Sequence, residues 1–76
     1  MRELKLYALE GCPYCARVKK VIEEKNIEVE ILDIEVKENH DALMAVGGDE
    51  TVPMLSIDGR AMYGTDKIID WLKENY

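Results

Sequence analysis

The chain has 76 residues, enough for one domain, residues 1–76, around a single modest core. Hydrophobic residues make up 47% and charged residues 34%, too apolar a balance for a disordered chain. The formal net charge is −6, which argues against nucleic-acid and anionic-membrane partners, because both demand a basic face.

In chain order, Leu4, Leu6 and Ala8 alternate with Lys5 and Tyr7, which predicts a half-buried strand. The same run is broken by Glu3, Lys5 and Glu10 and so lacks the apolar stretch of a signal peptide. Nor does any apolar run approach the roughly 18–20 residues that span a bilayer. The expected compartment is the cytoplasm.

Gly11-Cys12-Pro13 ends the strand. Val18, Val21 and Ile22 then recur at helical spacing between Pro13 and Lys25, with Arg17, Lys19, Lys20, Glu23 and Glu24 largely opposite and Asn26 as the stop. Ile27, Val29 and Ile31 alternate with Glu28 and Glu30, and then Leu32 and Ile34 with Asp33 and Glu35, so a second strand is expected across them. Asn39 to Val46 predicts a short helix, capped by Asn39 or Asp41 and ended by Gly47-Gly48. Met54-Leu55-Ser56-Ile57, Asp58-Gly59 and Arg60-Ala61-Met62-Tyr63 predict a hairpin. Thr65 is expected to cap a last helix with a core stripe of Ile68, Ile69 and Leu72, Trp71 lying near its edge. The order is β-α-β-α-β-β-α. It predicts an α/β domain with a parallel pair joined by a right-handed crossover, an antiparallel hairpin, and a mixed four-stranded sheet flanked by helices.

The chemical peculiarity is Cys12-Pro13-Tyr14-Cys15, which holds both cysteines. They close too short a loop to staple a secreted miniprotein. With one histidine, His40, they fall short of the four ligands of a structural zinc site, so no metal is expected. Taken alone, the pair also fits half of a zinc site shared between chains, or two thiols packed as small hydrophobes. Its place after a strand and at the opening of a βαβ crossover points to redox work. Pro13 suits the first helical position, where its missing N–H costs nothing. Cys12 then falls at the N-cap, facing free N–H groups and the positive helix end, which favour a thiolate. Thiolates attack disulfides, so Cys12 is the expected nucleophile. Cys15 follows one turn on, on the same helix face and within disulfide reach, as the less acidic, resolving partner. His40 reads as a solvated residue, and Met44, Met54 and Met62 as gap-fillers.

These residues resemble the glutaredoxins, over essentially the whole chain. Cys12-Pro13-Tyr14-Cys15 matches the dithiol active-site sequence of that family, Thr51-Val52-Pro53 resembles its loop before the third strand, and Gly64-Thr65-Asp66 resembles the segment opening its last helix. The resemblance implies a thioredoxin-like fold, with Pro53 in a cis peptide and the Val52 backbone offered to the cysteinyl part of glutathione. It assigns the start of the last helix, at Thr65 and Asp66, to the γ-glutamyl end, and sets Tyr14 beside the sulfur. Tyr63 to Leu72 also resembles the N-terminal domain of glutathione S-transferases, which is normally followed by an all-helical domain. Three positions depart from the glutaredoxin pattern: Leu9 and Glu50 stand where basic residues hold the glycyl carboxylate, and Tyr63 replaces the first glycine of a pair. Lys37 or Arg17 are the residues available to substitute for the lost basic groups.

The implied enzyme is a monomeric glutathione-dependent thiol–disulfide oxidoreductase with no bound cofactor and glutathione as reducing co-substrate. Its partners would be disulfide-containing or glutathionylated proteins. In an alternative, a thioredoxin reductase-type flavoprotein supplies the electrons and ribonucleotide reductase is a candidate acceptor. A third reading is an iron–sulfur cluster shared by two chains through Cys12 and glutathione, which Pro13 disfavours by family analogy. The acid is concentrated between Glu23 and Glu50, whereas Arg17, Lys19 and Lys20 leave the active-site helix locally basic.

Overall fold

The computed structural model describes residues 2–76. The elements are β1 (Leu4–Ala8), α1 (Pro13–Glu24), β2 (Glu30–Asp33), α2 (Lys37–Gly47), β3 (Met54–Ile57), β4 (Arg60–Tyr63) and α3 (Thr65–Asn75). The sheet order is β2-β1-β3-β4, with β1 and β2 parallel and the other neighbours antiparallel. This is the mixed four-stranded α/β sheet of the thioredoxin-like fold, in the element order read from the sequence.

Both faces of the sheet are covered. Leu4, Leu6, Ala8 and Leu55 pack with Val18 and Ile22 of α1 and with Ile68 and Leu72 of α3. On the other face Tyr7 and Met54 pack with Leu43 of α2. Each fully buried leucine contributes about 1.5–3 kcal/mol, so both layers matter to a domain this small. Tyr7 is 2% exposed, and the half-buried strand expected from its alternation is instead buried on both faces at this end. Local periodicity reports which residues share a face and is silent on whether a second helix covers the other.

α1 ends as its sequence predicts. Asn26 takes a φ of 52°, and the N–H groups of Asn26 and Ile27 bond back to Glu23 and Ile22, closing the last turn in the Schellman manner. β2 is shorter than expected: Ile27 is buried ahead of it, while pairing with β1 runs from Glu30 to Asp33. The shift in alternation between Ile31 and Leu32 marks a change of face. Ile27 and Val29 join the layer under α1 and α3, whereas Leu32 and Ile34 join the layer under α2.

α2 begins at Lys37, two residues before the expected cap. Its N-cap is Val36, with no side-chain cap bond, and the Asn39 amide instead donates to the Asp33 carbonyl at 2.9 Å. Asp41 lies within the helix and pairs with Lys37 at 2.8 Å. The hairpin turns through Asp58 and Gly59 at φ 50° and 86°, as a two-residue turn of positive φ requires. Its Asp58 carboxylate also accepts from the Glu3 N–H at 2.7 Å, tying the turn to the start of β1.

Strand register decides where the loops emerge. Tyr7 lies opposite Met54, and Met54 opposite Tyr63. The end of β1, the start of β3 and the end of β4 therefore share one edge of the sheet. The Cys12 segment, the Thr51-Val52-Pro53 loop and the start of α3 all leave from that edge.

Candidate active site

Cys12 occupies the N-cap of α1 in extended conformation, φ −82° and ψ 113°, with Pro13 in the first turn. Its Sγ accepts the Cys15 N–H at 3.2 Å. Partial burial opposes ionisation of Cys12, but the Cys15 side chain, the N–H groups of Cys15 and Tyr14, and the Lys19 charge outweigh it and lower its pKa. Cys15 is fully buried. Burial first, then its hydrogen bond to Cys12, pushes its thiol up to about 11. The two sulfurs thus differ in the sense exchange chemistry uses: a half-buried sulfur biased toward thiolate, backed by a buried one biased toward thiol. Tyr14 is 59% exposed on the first turn.

The Val52–Pro53 peptide is cis. Pro53 is buried, and half-buried Val52 packs against both hydrophobic layers, one of which also receives Cys12. Thr51 is exposed and folds back on Asp49, its N–H and hydroxyl donating to one carboxylate oxygen at 2.9 and 2.7 Å. Those bonds, the hydroxyl first, hold the Asp49 carboxyl below the usual carboxylate range.

At α3 the expectation for Thr65 needs correcting. The cap is Gly64, at φ 96° and without a side-chain cap bond, and Thr65 is the first helical residue. Asp66 reaches across to α1, where its carboxylate accepts from the Arg17 guanidinium at 2.9 Å. The carboxylate assigned to a ligand ammonium and one candidate replacement cation are therefore engaged with each other.

Sequence reasoning missed further contacts at this edge. His40, read as solvated, is half-buried with its Nε2 3.0 Å from a Glu50 carboxylate oxygen. Tyr63, read only as a departure from a glycine, lays its ring against Gly47 and donates its hydroxyl to the Asp49 carbonyl at 2.7 Å. The residues of these pairs lie far apart along the chain, so the one signal available was an aromatic where a glycine was expected. Among the described residues no three His, Cys, Asp or Glu side chains cluster as a metal cage. Nor is any helix of the described residues long and apolar enough to cross a membrane.

Two thiols of opposed character at a helix start, on the edge that also carries a cis-proline loop, mark a thioredoxin-fold dithiol protein. Residues 6–76 match the family model of the glutathione S-transferase N-terminal domain. Glutaredoxin 1 of Rickettsia conorii is 35% identical over 72 residues, covering 91% of this chain and 71% of the relative. A mutant of the thioredoxin-like protein BC3987 superposes with a TM-score of 0.81 at 25% identity, covering 95% of this chain and 96% of that one. The trimeric glutathione transferase TDR1 of Leishmania superposes with a TM-score of 0.78 at 31% identity, over 97% of this chain. The chain spans between 17% and 34% of the length of that transferase and two others it resembles. The chain belongs to the glutathione S-transferase N-terminal domain family by its model match and to the glutaredoxins by its relatives, both thioredoxin-like. Its activity is that of a thiol–disulfide oxidoreductase.

Proposed function

We propose that the protein is a glutathione-dependent oxidoreductase that reduces protein disulfides and protein–glutathione mixed disulfides, acting as a monomer in the cytoplasm. The observation that carries this reading is the Cys12 sulfur at the helix cap, accepting the Cys15 N–H while Cys15 stays buried and protonated. The Cys12 thiolate attacks one sulfur of the substrate disulfide, forming a mixed disulfide and releasing the other sulfur as thiolate. In the dithiol route Cys15 gives up its proton as it attacks Cys12, which expels the reduced substrate and leaves a Cys12–Cys15 disulfide. Two glutathione molecules reduce that disulfide and leave as glutathione disulfide. In the monothiol route one glutathione displaces a glutathionyl group from Cys12 directly.

Glutathione would lie along the edge shared by the thiols, the cis-proline loop and α3. The Val52 backbone would pair with its cysteinyl part like an added strand. Thr65 and Asp66, at the start of α3, would take the γ-glutamyl end, its carboxylate on the N–H groups of the first turn. Pro13 and Tyr14 shape the wall beside the sulfur. Titrating the oxidised protein with glutathione and reading the Cys12–Cys15 redox state tests the assignment. Reduction at millimolar glutathione is expected, and a disulfide that persists there would overturn it.

A specific feature favours a second electron donor. Leu9 and Glu50 stand where a carboxylate-binding glutaredoxin carries cations, and Glu50 brings negative charge to the loop before Val52. Reduction by a thioredoxin reductase-type flavoprotein, with ribonucleotide reductase as acceptor, accommodates that loss. Incubating the same oxidised protein with such a reductase and NADPH separates the two donors.

A further inference from the structure

We infer that Tyr63 is a positioning residue for the substrate-binding loop, acting through the Asp49 carbonyl. This rests on the proposal that the Val52 backbone receives the disulfide substrate. Tyr63 is the last residue of β4 and pairs with Met54, the residue directly after Pro53. From there its side chain crosses the layer under α2, packing with Tyr7, Leu43 and Met54, and reaches the last turn of α2. The space it fills exists because residue 47 is glycine. A Cβ there would meet the phenol hydroxyl and stand 2.8 Å from the ring carbon bearing it.

The hydroxyl donates to the Asp49 carbonyl at 2.7 Å. The Asp49 carboxylate holds the N–H and hydroxyl of Thr51. Val52 and its cis bond to Pro53 come next. The loop is thus fixed at its far end by β3 and at its near end by a relay from Tyr63 through Asp49 to Thr51. Among the described residues the near end has one other side-chain tie, from half-buried His40 to the exposed Glu50 carboxylate. A glycine in place of Tyr63 would leave the Asp49 carbonyl to water and the α2 end unpacked. Tyr63 and Gly47 therefore form a matched pair, large against small, joining α2, the loop and the β4–α3 corner.

A residue that only orders Val52 should affect substrate capture and leave the sulfur chemistry alone. Tyr63→Phe keeps the ring and removes the hydroxyl, so it isolates the relay. The expected result is a rise in KM of about three- to tenfold, the range one neutral hydrogen bond supports, at unchanged kcat. The probes are the mixed disulfide of glutathione with 2-mercaptoethanol, reduced by glutathione, and insulin, reduced by dithiothreitol. The pH midpoint for alkylation of Cys12 should stay at its wild-type value. Hydrogen exchange at Thr51 should quicken, with Leu55 unchanged. Wild-type KM on the substrates turned over, or wild-type exchange at Thr51, overturns the inference, and so does a shifted Cys12 midpoint. If the glutathione reading fails, the wild type shows no glutathione-driven turnover, and KM on insulin together with exchange at Thr51 still decides the role of Tyr63.

Discussion

α1 and α3 start at the same edge of the sheet and complete their first turns in opposite ways. At α1 the cap is Cys12, whose sulfur accepts the Cys15 N–H, and no acidic residue lies in the first turn. At α3 the cap is Gly64, which has no side chain to offer, and Asp66 sits in the first turn. Both termini present N–H groups and the positive end of a helix dipole. One uses them on its own sulfur, which biases that sulfur toward thiolate. The other leaves them uncapped, the arrangement an external carboxylate needs. The same backbone feature is thus engaged by a side chain at one helix start and left without one at the other.

The largest effect should come from removing the α1 cap. Cys12→Ser keeps an acceptor at the N-cap, so the helix should survive, since serine caps well. Activity in a glutathione-coupled disulfide assay should nevertheless fall to background, because a hydroxyl does not supply the thiolate. Cys15→Ser should keep reduction of a glutathionylated peptide and lose the dithiol route to protein disulfides. Full activity in Cys12→Ser would dismantle the contrast between the two helix starts.

The pH response sharpens the same contrast. With its pKa lowered, Cys12 should reach half-maximal alkylation by iodoacetamide at a lower pH than Cys12 in the unfolded chain. A depressed pKa stabilises the fold above the unfolded value, and that contribution is lost as pH falls through the folded pKa. Cys15 runs the other way. Its thiol, moved from 9.0 to about 11, keeps its proton in the fold where the unfolded chain has lost it, so stability declines from about pH 9 until about pH 11. Urea midpoints for wild type and Cys15→Ala should converge across that range, because the wild type starts ahead by the cost of the smaller side chain and loses that lead as pH rises. A wild-type lead that does not shrink with pH would contradict the assignment.

Much of this was legible in the sequence where the cause is local. Pro13 fixed the start of α1 and thereby the cap position of Cys12, Asn26 marked its end, and Asp58-Gly59 announced the hairpin. The start of α2 was not legible, because Val36 enters it by backbone conformation alone and Asn39, a good cap by type, uses its amide on the Asp33 carbonyl. The α3 start was misjudged by one residue. Thr65 looked like the cap, but only Gly64 tolerates the positive φ with which the chain leaves β4. Within the site the thiols followed from spacing, whereas Tyr63 on Asp49 and Arg17 on Asp66 join residues 14 and 49 positions apart. No local pattern encodes such pairs.

Gly64→Ala attacks the α3 start directly. A Cβ there has room, its nearest neighbour being the Lys67 Cβ at 3.7 Å, so the cost lies in the backbone conformation at φ 96°. A loss of about 1–3 kcal/mol in urea unfolding is expected, with Cys12 alkylation unchanged. A concurrent shift in the Cys12 midpoint would mean that the two helix starts are coupled more tightly than their separate caps suggest.

The smallest effect on stability, and the most informative for binding, should come from the link between the two starts. Arg17 and Asp66 join α1 to α3 at 2.9 Å, yet their side chains are 55% and 82% exposed. A pair so open to water contributes about 0–1 kcal/mol and weakens with salt. Asp66→Asn should therefore leave the urea midpoint almost unchanged. If glutathione docks at the α3 start, its ammonium competes with Arg17 for the same carboxylate. Asp66→Asn should then raise KM for glutathione, while Arg17→Ala, by freeing that carboxylate, should lower it or leave it unmoved. If both variants raise KM alike, the ion pair itself is the recognition element, with Arg17 on the ligand carboxylate and Asp66 on its amine. If neither changes KM, the uncapped start of α3 is not where glutathione is held.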